Sequence, residues 1–96
     1  MSLRVVARIQ AKPDTIDQVR ELLLELIEPT RQEAGCITYE LLQNRADPCD
    51  FTFVEEWASD AALDAHAVSD HLRNVRARLD GLTSATTDIR KYDLLA

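Results

Sequence analysis

"FTFVEEWASDAALDAHAVSDHLRNVRARL", residues 51–79, changes its periodicity twice, and those changes decide the fold. Phe51, Phe53, Glu55 and Trp57 alternate with Thr52, Val54 and Glu56, the period of a strand with two distinct faces. Ser59 is a good N-cap, and beyond it the pattern is helical, with Leu63, His66 and Ala67 on one face. Leu72, Val75 and Leu79 also share a face. Leu63 and Leu72 are nine residues apart, which at about 100° per residue is half a turn out of phase. One straight helix would aim these stripes in opposite directions. A break is therefore predicted near Ser69, with Ser69 capping the second segment.

Upstream, "LRVVARIQA" (3–11) alternates, with Leu3, Val5, Ala7 and Ile9 on its apolar face. "KPDTIDQ" ends that strand, because Pro13 cannot donate to a ladder and Thr15 with Gln18 matches a capping box. Ile16, Val19, Leu22, Leu23, Leu26 and Ile27 then form a helical stripe. Pro29 lacks an N–H and should kink this helix or restart its last turn, and Gly35 suits the left-handed position that closes it. "CITYELLQ" (36–43) reads as a strand with Ile37, Tyr39 and Leu41 on one face, followed by a hairpin loop, "NRADPCD". "TSATTDIRKYDLL" (83–95) reads as the last strand.

The order β-α-β-β-α-β over a single domain, residues 1–96, is the ferredoxin-like split unit of the α+β class, an antiparallel sheet with both helices on one face. Several residues expected on the other face are apolar or aromatic, so a second copy is expected to cover it in a homodimer.

Composition excludes several classes of function. The formal net charge is −6 with Lys and Arg scattered, which opposes binding to nucleic acid. There is no apolar run of the roughly 18 residues that a membrane span needs. Strand-like sequence from Leu3 leaves no room for a signal peptide, and a cytoplasmic location is expected. Only Gly35 and Gly81 are present, so neither a Rossmann fingerprint nor a P-loop exists in this chain. Cys36 and Cys49 form no CxxC pair and are expected to be reduced, Cys36 as a small buried apolar residue.

Two readings are open for His66. It faces the sheet, so it is either a buried His satisfied by a carbonyl or carboxylate, or a general base or acid suited to neutral pH. Asp70, one turn on, is a candidate to hold its ring. His71 falls on the flank of the second segment as a rim residue. The two His are five residues apart, about 140° around a continuous helix, so a shared metal is not expected. Trp57, Glu55 and Phe53 share a face. They are either packing and a salt bridge from Glu55 to Arg4 or Arg8, or the aromatic wall and acidic group of a ligand pocket. Tyr39 adds a hydroxyl to such a wall.

These residues resemble a known family. "GCITYEL" (35–41), "FVEEWASDAALDAH" (53–66) and "SDHL" (69–72) are similar to the antibiotic biosynthesis monooxygenase (ABM) domain, with Gly35, Cys36, Tyr39, Glu55, Trp57, Ala62, Leu63, His66, Ser69 and His71 at motif positions. Leu72 replaces the family's usual Phe, and Arg31, Glu33 and Gly35 match its Arg-x-Glu-x-Gly. The resemblance implies a dimeric α/β barrel with a pocket between sheet and helices. It also implies oxidation of a small phenolic or quinol-type aromatic with O2, without flavin, haem or metal and so with no cofactor. It makes His66 the catalytic residue and Tyr39, Trp57, Glu55, Phe53 and His71 substrate-binding residues. Haem-degrading relatives place a Trp and a His where His66 and Arg76 stand here, which argues against haem. Related proteins leave two alternatives: an isomerase of a small hydroxyketone or phosphorylated signal molecule, and a non-catalytic stress-response dimer that binds a ligand.

Overall fold

The computed structural model describes residues 2–96 and contains β1 (Leu3–Gln10), α1 (Ile16–Leu24), α2 (Ile27–Arg31), β2 (Cys36–Gln43), β3 (Asp50–Trp57), α3 (Asp60–Ala67), α4 (Asp70–Leu79) and β4 (Asp88–Tyr92). The strands form one antiparallel sheet in the order β2-β3-β1-β4, with β1 and β3 paired from Leu3↔Trp57 to Gln10↔Asp50. This is the ferredoxin-like arrangement, with the helices on one face. The alternation in β1 and β3 becomes burial: Val5, Ala7 and Ile9 lie beside Phe51, Phe53, Glu55 and Trp57 on the covered face. Val19, Leu22 and Leu23 of α1, Leu26 after it and Val75 of α4 close over them. Truncating one of the buried leucines to Ala would cost about 2–5 kcal/mol. Among the described residues, no helix is long and apolar enough to cross a membrane.

The helix breaks have separate local causes. Pro29 has no N–H for the carbonyl of Glu25, so α1 ends at Leu24 and a short turn restarts at Ile27. The second region divides at Ser69 as the half-turn mismatch requires, but the serine works differently from the expectation. Its hydroxyl caps no N–H of α4 and instead donates to the carbonyl of His66 at 2.7 Å, tying off the last turn of α3. Ser59 does cap α3, accepting from the Ala62 N–H at 3.1 Å.

Four further details depart from the sequence reading. Thr15 makes no capping bond with its side chain. Its hydroxyl contacts Leu82 O at 2.6 Å and so pins the start of α1 to the segment after α4. A β-bulge between Cys36 and Thr38 leaves Ile37 unpaired, so Cys36 rather than Ile37 joins Tyr39 and Leu41 on the covered face and Ile37 is exposed. β4 is confined to Asp88–Tyr92, and Thr83 contributes only an isolated bridge to Ala11. The uncovered face of the sheet is also more charged than expected. Arg4–Glu56, Arg8–Asp50 and Arg90–Asp88 pairs stand among half-buried Val6 and Val54 and exposed Leu42 and Tyr92.

Gly35 sets the join between α2 and β2. Its φ is +85°, and a Cβ there would lie 2.5 Å from the Ala62 Cβ, while its carbonyl accepts from the Ala58 N–H at 2.8 Å. Only a residue without a side chain fits both the backbone and the gap. Gly35→Ala should therefore lose about 2 kcal/mol or more of unfolding free energy, read from the urea midpoint at unchanged slope. The same substitution at Gly81 (φ +80°), which meets nothing within 4 Å, should cost less.

Candidate functional site

Glu33, in the turn before β2, is where the site is assembled. His66, in the last turn of α3 and only 5% exposed, places Nδ1 2.6 Å from Glu33 Oε2. The break at Ser69 then redirects the chain so that His71 Nε2 reaches the same oxygen at 2.8 Å. On an unbroken helix the two rings would diverge by about 140°; across the break their centroids are 6.0 Å apart. His71, expected as a rim residue, thus shares one carboxylate oxygen with His66. Asp70, the expected partner of His66, makes no hydrogen bond to it among the described residues, and Glu33 does that work. The Arg31-x-Glu33-x-Gly35 pattern carried a signal for Glu33, but nothing in its spacing pointed to two imidazoles 33 and 38 residues away.

A carboxylate only accepts, so two ring nitrogens on one of its oxygens must both carry hydrogen. This assigns the Nδ1–H tautomer to neutral His66 and leaves its Nε2 with the lone pair. That nitrogen has no partner among the described residues. Burial holds the His66 pKa below its ordinary value, against the opposing pull of Glu33. One donor atom from each of Glu33, His66 and His71 lies within 4.8 Å of the others, a set whose chemistry also suits a divalent cation. The oxygen, however, stands at hydrogen-bond distance from both nitrogens, and two N–H···O bonds account for the geometry in full.

A cavity of about 230 Å³ lies between the covered face of the sheet and the helices, larger than the roughly 150 Å³ void that takes up a benzene ring. Val5, Ala7, Ile9, Leu63 and Val75 make much of its wall apolar, while Glu55, Asp64, Arg76 and Lys91 are its acidic, amine and guanidinium lining residues. Of the residues singled out in the sequence, Tyr39, Phe53, Glu55 and His66 line it together. Tyr39 and Phe53 stack at 4.8 Å, and Tyr39 meets His66 edge-on at 5.6 Å. Trp57 and His71 do not line the cavity. Trp57 is fully buried behind it, 4.8 Å from the His66 ring, and donates from Nε1 to Glu55 Oε1 at 2.8 Å. It therefore orients two lining groups without itself forming a wall. Glu55 pairs with neither Arg4 nor Arg8, which are bound to Glu56 and Asp50. Burial pushes the Glu55 carboxyl above its usual range and the Tyr39 phenol well above its own. Burial likewise raises the pKa of the Cys36 thiol, which disfavours its reactive thiolate.

The family model described as antibiotic biosynthesis monooxygenase matches residues 2–78. A Mycobacterium tuberculosis protein named "Putative monooxygenase Rv0793" is 40% identical over 78 residues, 81% of this chain and 76% of that one. A solved structure described as an antibiotic biosynthesis monooxygenase superposes with a TM-score of 0.92 at 35% identity, over 98% of this chain and 99% of that one. The structure of PA3566 from Pseudomonas aeruginosa gives 0.93 at 33% identity, over 99% and 95%.

The direction of the His66 pKa fixes a pH dependence of stability. With the folded value below about 6.5, the unfolded chain binds a proton in that window while the folded chain resists it. Stability present above that window is lost as pH falls through it. Urea unfolding at about pH 7.5 and 5.5 should show a loss on acidification that is smaller in His66→Gln.

Proposed function

The chain belongs to the antibiotic biosynthesis monooxygenase family, and from that premise we propose that it oxidises a small phenolic or quinol-type aromatic with O2, using no flavin, haem or metal. One observation carries the reading: His66 sits at an apolar cavity with Nδ1 held by a carboxylate and Nε2 unpartnered among the described residues.

In this reading His66 Nε2 takes a proton from a substrate hydroxyl, and the imidazolium formed is stabilised by Glu33 Oε2 at 2.6 Å. The phenolate is electron-rich enough to reduce O2 itself. For a hydroquinone, one oxygen atom converts a ring C–H to C–OH while the two hydroxyls become carbonyls. The second oxygen atom leaves as water, and the four electrons that reduce O2 all come from the substrate. The protein contributes the base, the orientation and the exclusion of water by an apolar wall. Tyr39 and Phe53 offer faces for an aromatic ring, and Trp57 supports them from behind.

A second reading is an isomerase of a small hydroxyketone. It is favoured by the presence of a second ionisable group, Glu55, at the same cavity as His66. Such a reaction needs one group to take a proton and another to return it, with no O2 consumed. We further propose a homodimer in which a second copy covers the uncovered sheet face, where Val6, Leu42, Val54 and Tyr92 supply apolar area between the ion pairs. Light scattering at micromolar concentration should give twice the 10.8 kDa chain mass, and a monomer would refute it.

Oxygen uptake with a panel of hydroquinones and anthrols, in protein freed of metal and flavin, tests the main reading. His66→Ala should lower the rate by about 10²-fold or more while the fold persists. Glu33→Gln should lower kcat by roughly 10-fold. Because Glu33 pulls the His66 pKa upward, this variant should also move the acid limb of the rate profile to lower pH. Uptake undiminished in His66→Ala would refute the assignment of the base.

A further inference from the structure

Among the described residues, Glu55 is a buried acid without a counter-ion. It is 4% exposed, it lines the cavity, and among the described residues its side chain has one hydrogen-bond partner, the neutral N–H of Trp57 at Oε1. Its second oxygen has none. Among the described residues, the cations on its side of the sheet are engaged elsewhere: on β4, Lys91 holds Asp60; on α4, Arg76 donates to Ala67 O; before β2, Arg31 donates to Tyr39 O. Arg4 and Arg8 of β1 lie on the uncovered face with Glu56 and Asp50. The ionisable groups around it are Tyr39, its cross-strand partner on β2, Cys36 on the same strand as Tyr39, Lys91 across Val5 on β4, Asp64, His66 and Arg76 at the same cavity, and Glu33, which has the same charge sign.

An ionised carboxylate in such a place carries a desolvation cost that one indole N–H does not offset. Holding a proton removes most of that cost and turns a pure acceptor into a donor. We propose that Glu55 is a protonated carboxylic acid whose free oxygen donates a hydrogen bond into the cavity. The site would then take substrates that present an oxygen acceptor, a carbonyl or a developing oxyanion, together with an acidic proton for His66. The upward displacement of the Glu55 pKa by burial, which Glu33 reinforces and Trp57 opposes, agrees with this.

The substrate class so defined is aromatic or aliphatic molecules that pair an acidic hydroxyl with a second oxygen able to accept a hydrogen bond: quinols, hydroxyquinones and hydroxyketones. A phenol with no second oxygen, an amine or a plain hydrocarbon lacks the acceptor. Naming this class rests on the reading of the cavity as the reaction site, whereas the protonation of Glu55 does not.

Infrared spectroscopy of the full chain tests the protonation directly. The carbonyl stretch of a protonated carboxyl should persist at about pH 6, above the range of ordinary glutamates near 4.3, and should vanish in Glu55→Gln. Trp57→Phe removes the one N–H that favours the ionised form, so the band should persist to higher pH in that variant, which gives a second readout should Glu55→Gln fold poorly. Acetophenone and α-methylstyrene, which differ by carbonyl oxygen against methylene and do not themselves ionise, test the donor role by calorimetry. Preference for the ketone should fall by about 10-fold as pH rises through the loss of the band, and should be pH-independent in Glu55→Gln. Absence of the band at about pH 6 would overturn the proposal. A ketone preference in the wild type that ignores pH would overturn the donor role. A band that persists in a protein with no oxygen uptake would sink the monooxygenase reading and leave Glu55 as assigned.

Discussion

One oxygen atom, Glu33 Oε2, accepts hydrogen bonds from two imidazoles on different helices, and the arrangement of the site follows from that. The carboxylate belongs to the turn that enters β2, His66 to the end of α3 and His71 to the start of α4. Satisfying both rings at once fixes the angle between the helix segments and the distance of each from the sheet. It also fixes the chemistry, because it commits Nδ1 of His66 to donation and leaves only Nε2 to act as an acceptor. The Gly35–Ala62 approach is the steric counterpart: a Cβ on Gly35 would lie only 2.5 Å from the Ala62 Cβ, so the turn that carries Glu33 packs this closely against α3 only with glycine there.

Behind the cavity, Trp57 plays the same part for the sheet that Glu33 plays for the helices. It is fully buried, holds Glu55 through its indole N–H and lies against the ring of His66. Two ionisable side chains with opposite displacements, one imidazole pushed downward and one carboxyl pushed upward by burial, thereby share an apolar wall. Proton chemistry near neutral pH uses this kind of arrangement, in which environment rather than residue type separates the roles.

Much of the architecture was legible in local patterns. The alternation of Val5, Ala7 and Ile9 and of Phe51, Phe53 and Trp57 is a direct record of one covered face, and the half-turn offset between Leu63 and Leu72 is a direct record of a break. Features set by contacts distant in sequence were not legible. A bulge at Ile37 moves one residue across the sheet without changing the composition of the strand. Thr15 has the spacing of a capping residue, yet its hydroxyl serves a carbonyl 67 residues away. In the site itself, His66, Tyr39, Phe53 and Glu55 were found because their strand and helix phases aim them inward. Trp57 shares that phase but lies too deep to form a wall, and His71 was assigned to the rim from its place on the flank of the second segment, which carries no sign of a carboxylate 38 residues away. Glu33 lies in a turn with no periodicity to read.

The division at Ser69 interrupts the helical ladder between two parts of the enclosure, which stay joined through Glu33 and through Arg76 on the Ala67 carbonyl. α3 carries the base, and α4 carries Val75 and Arg76 of the opposite wall, yet no continuous run of backbone hydrogen bonds couples their rotations. A one-residue insertion within α4 would turn its distal wall by about 100° while leaving His66 in register with Glu33. The lining that selects a ligand can therefore diverge among sequences independently of the group that handles the proton. In this sense the chain is hinged for variation, with its selectivity and its reactivity inherited on separate segments.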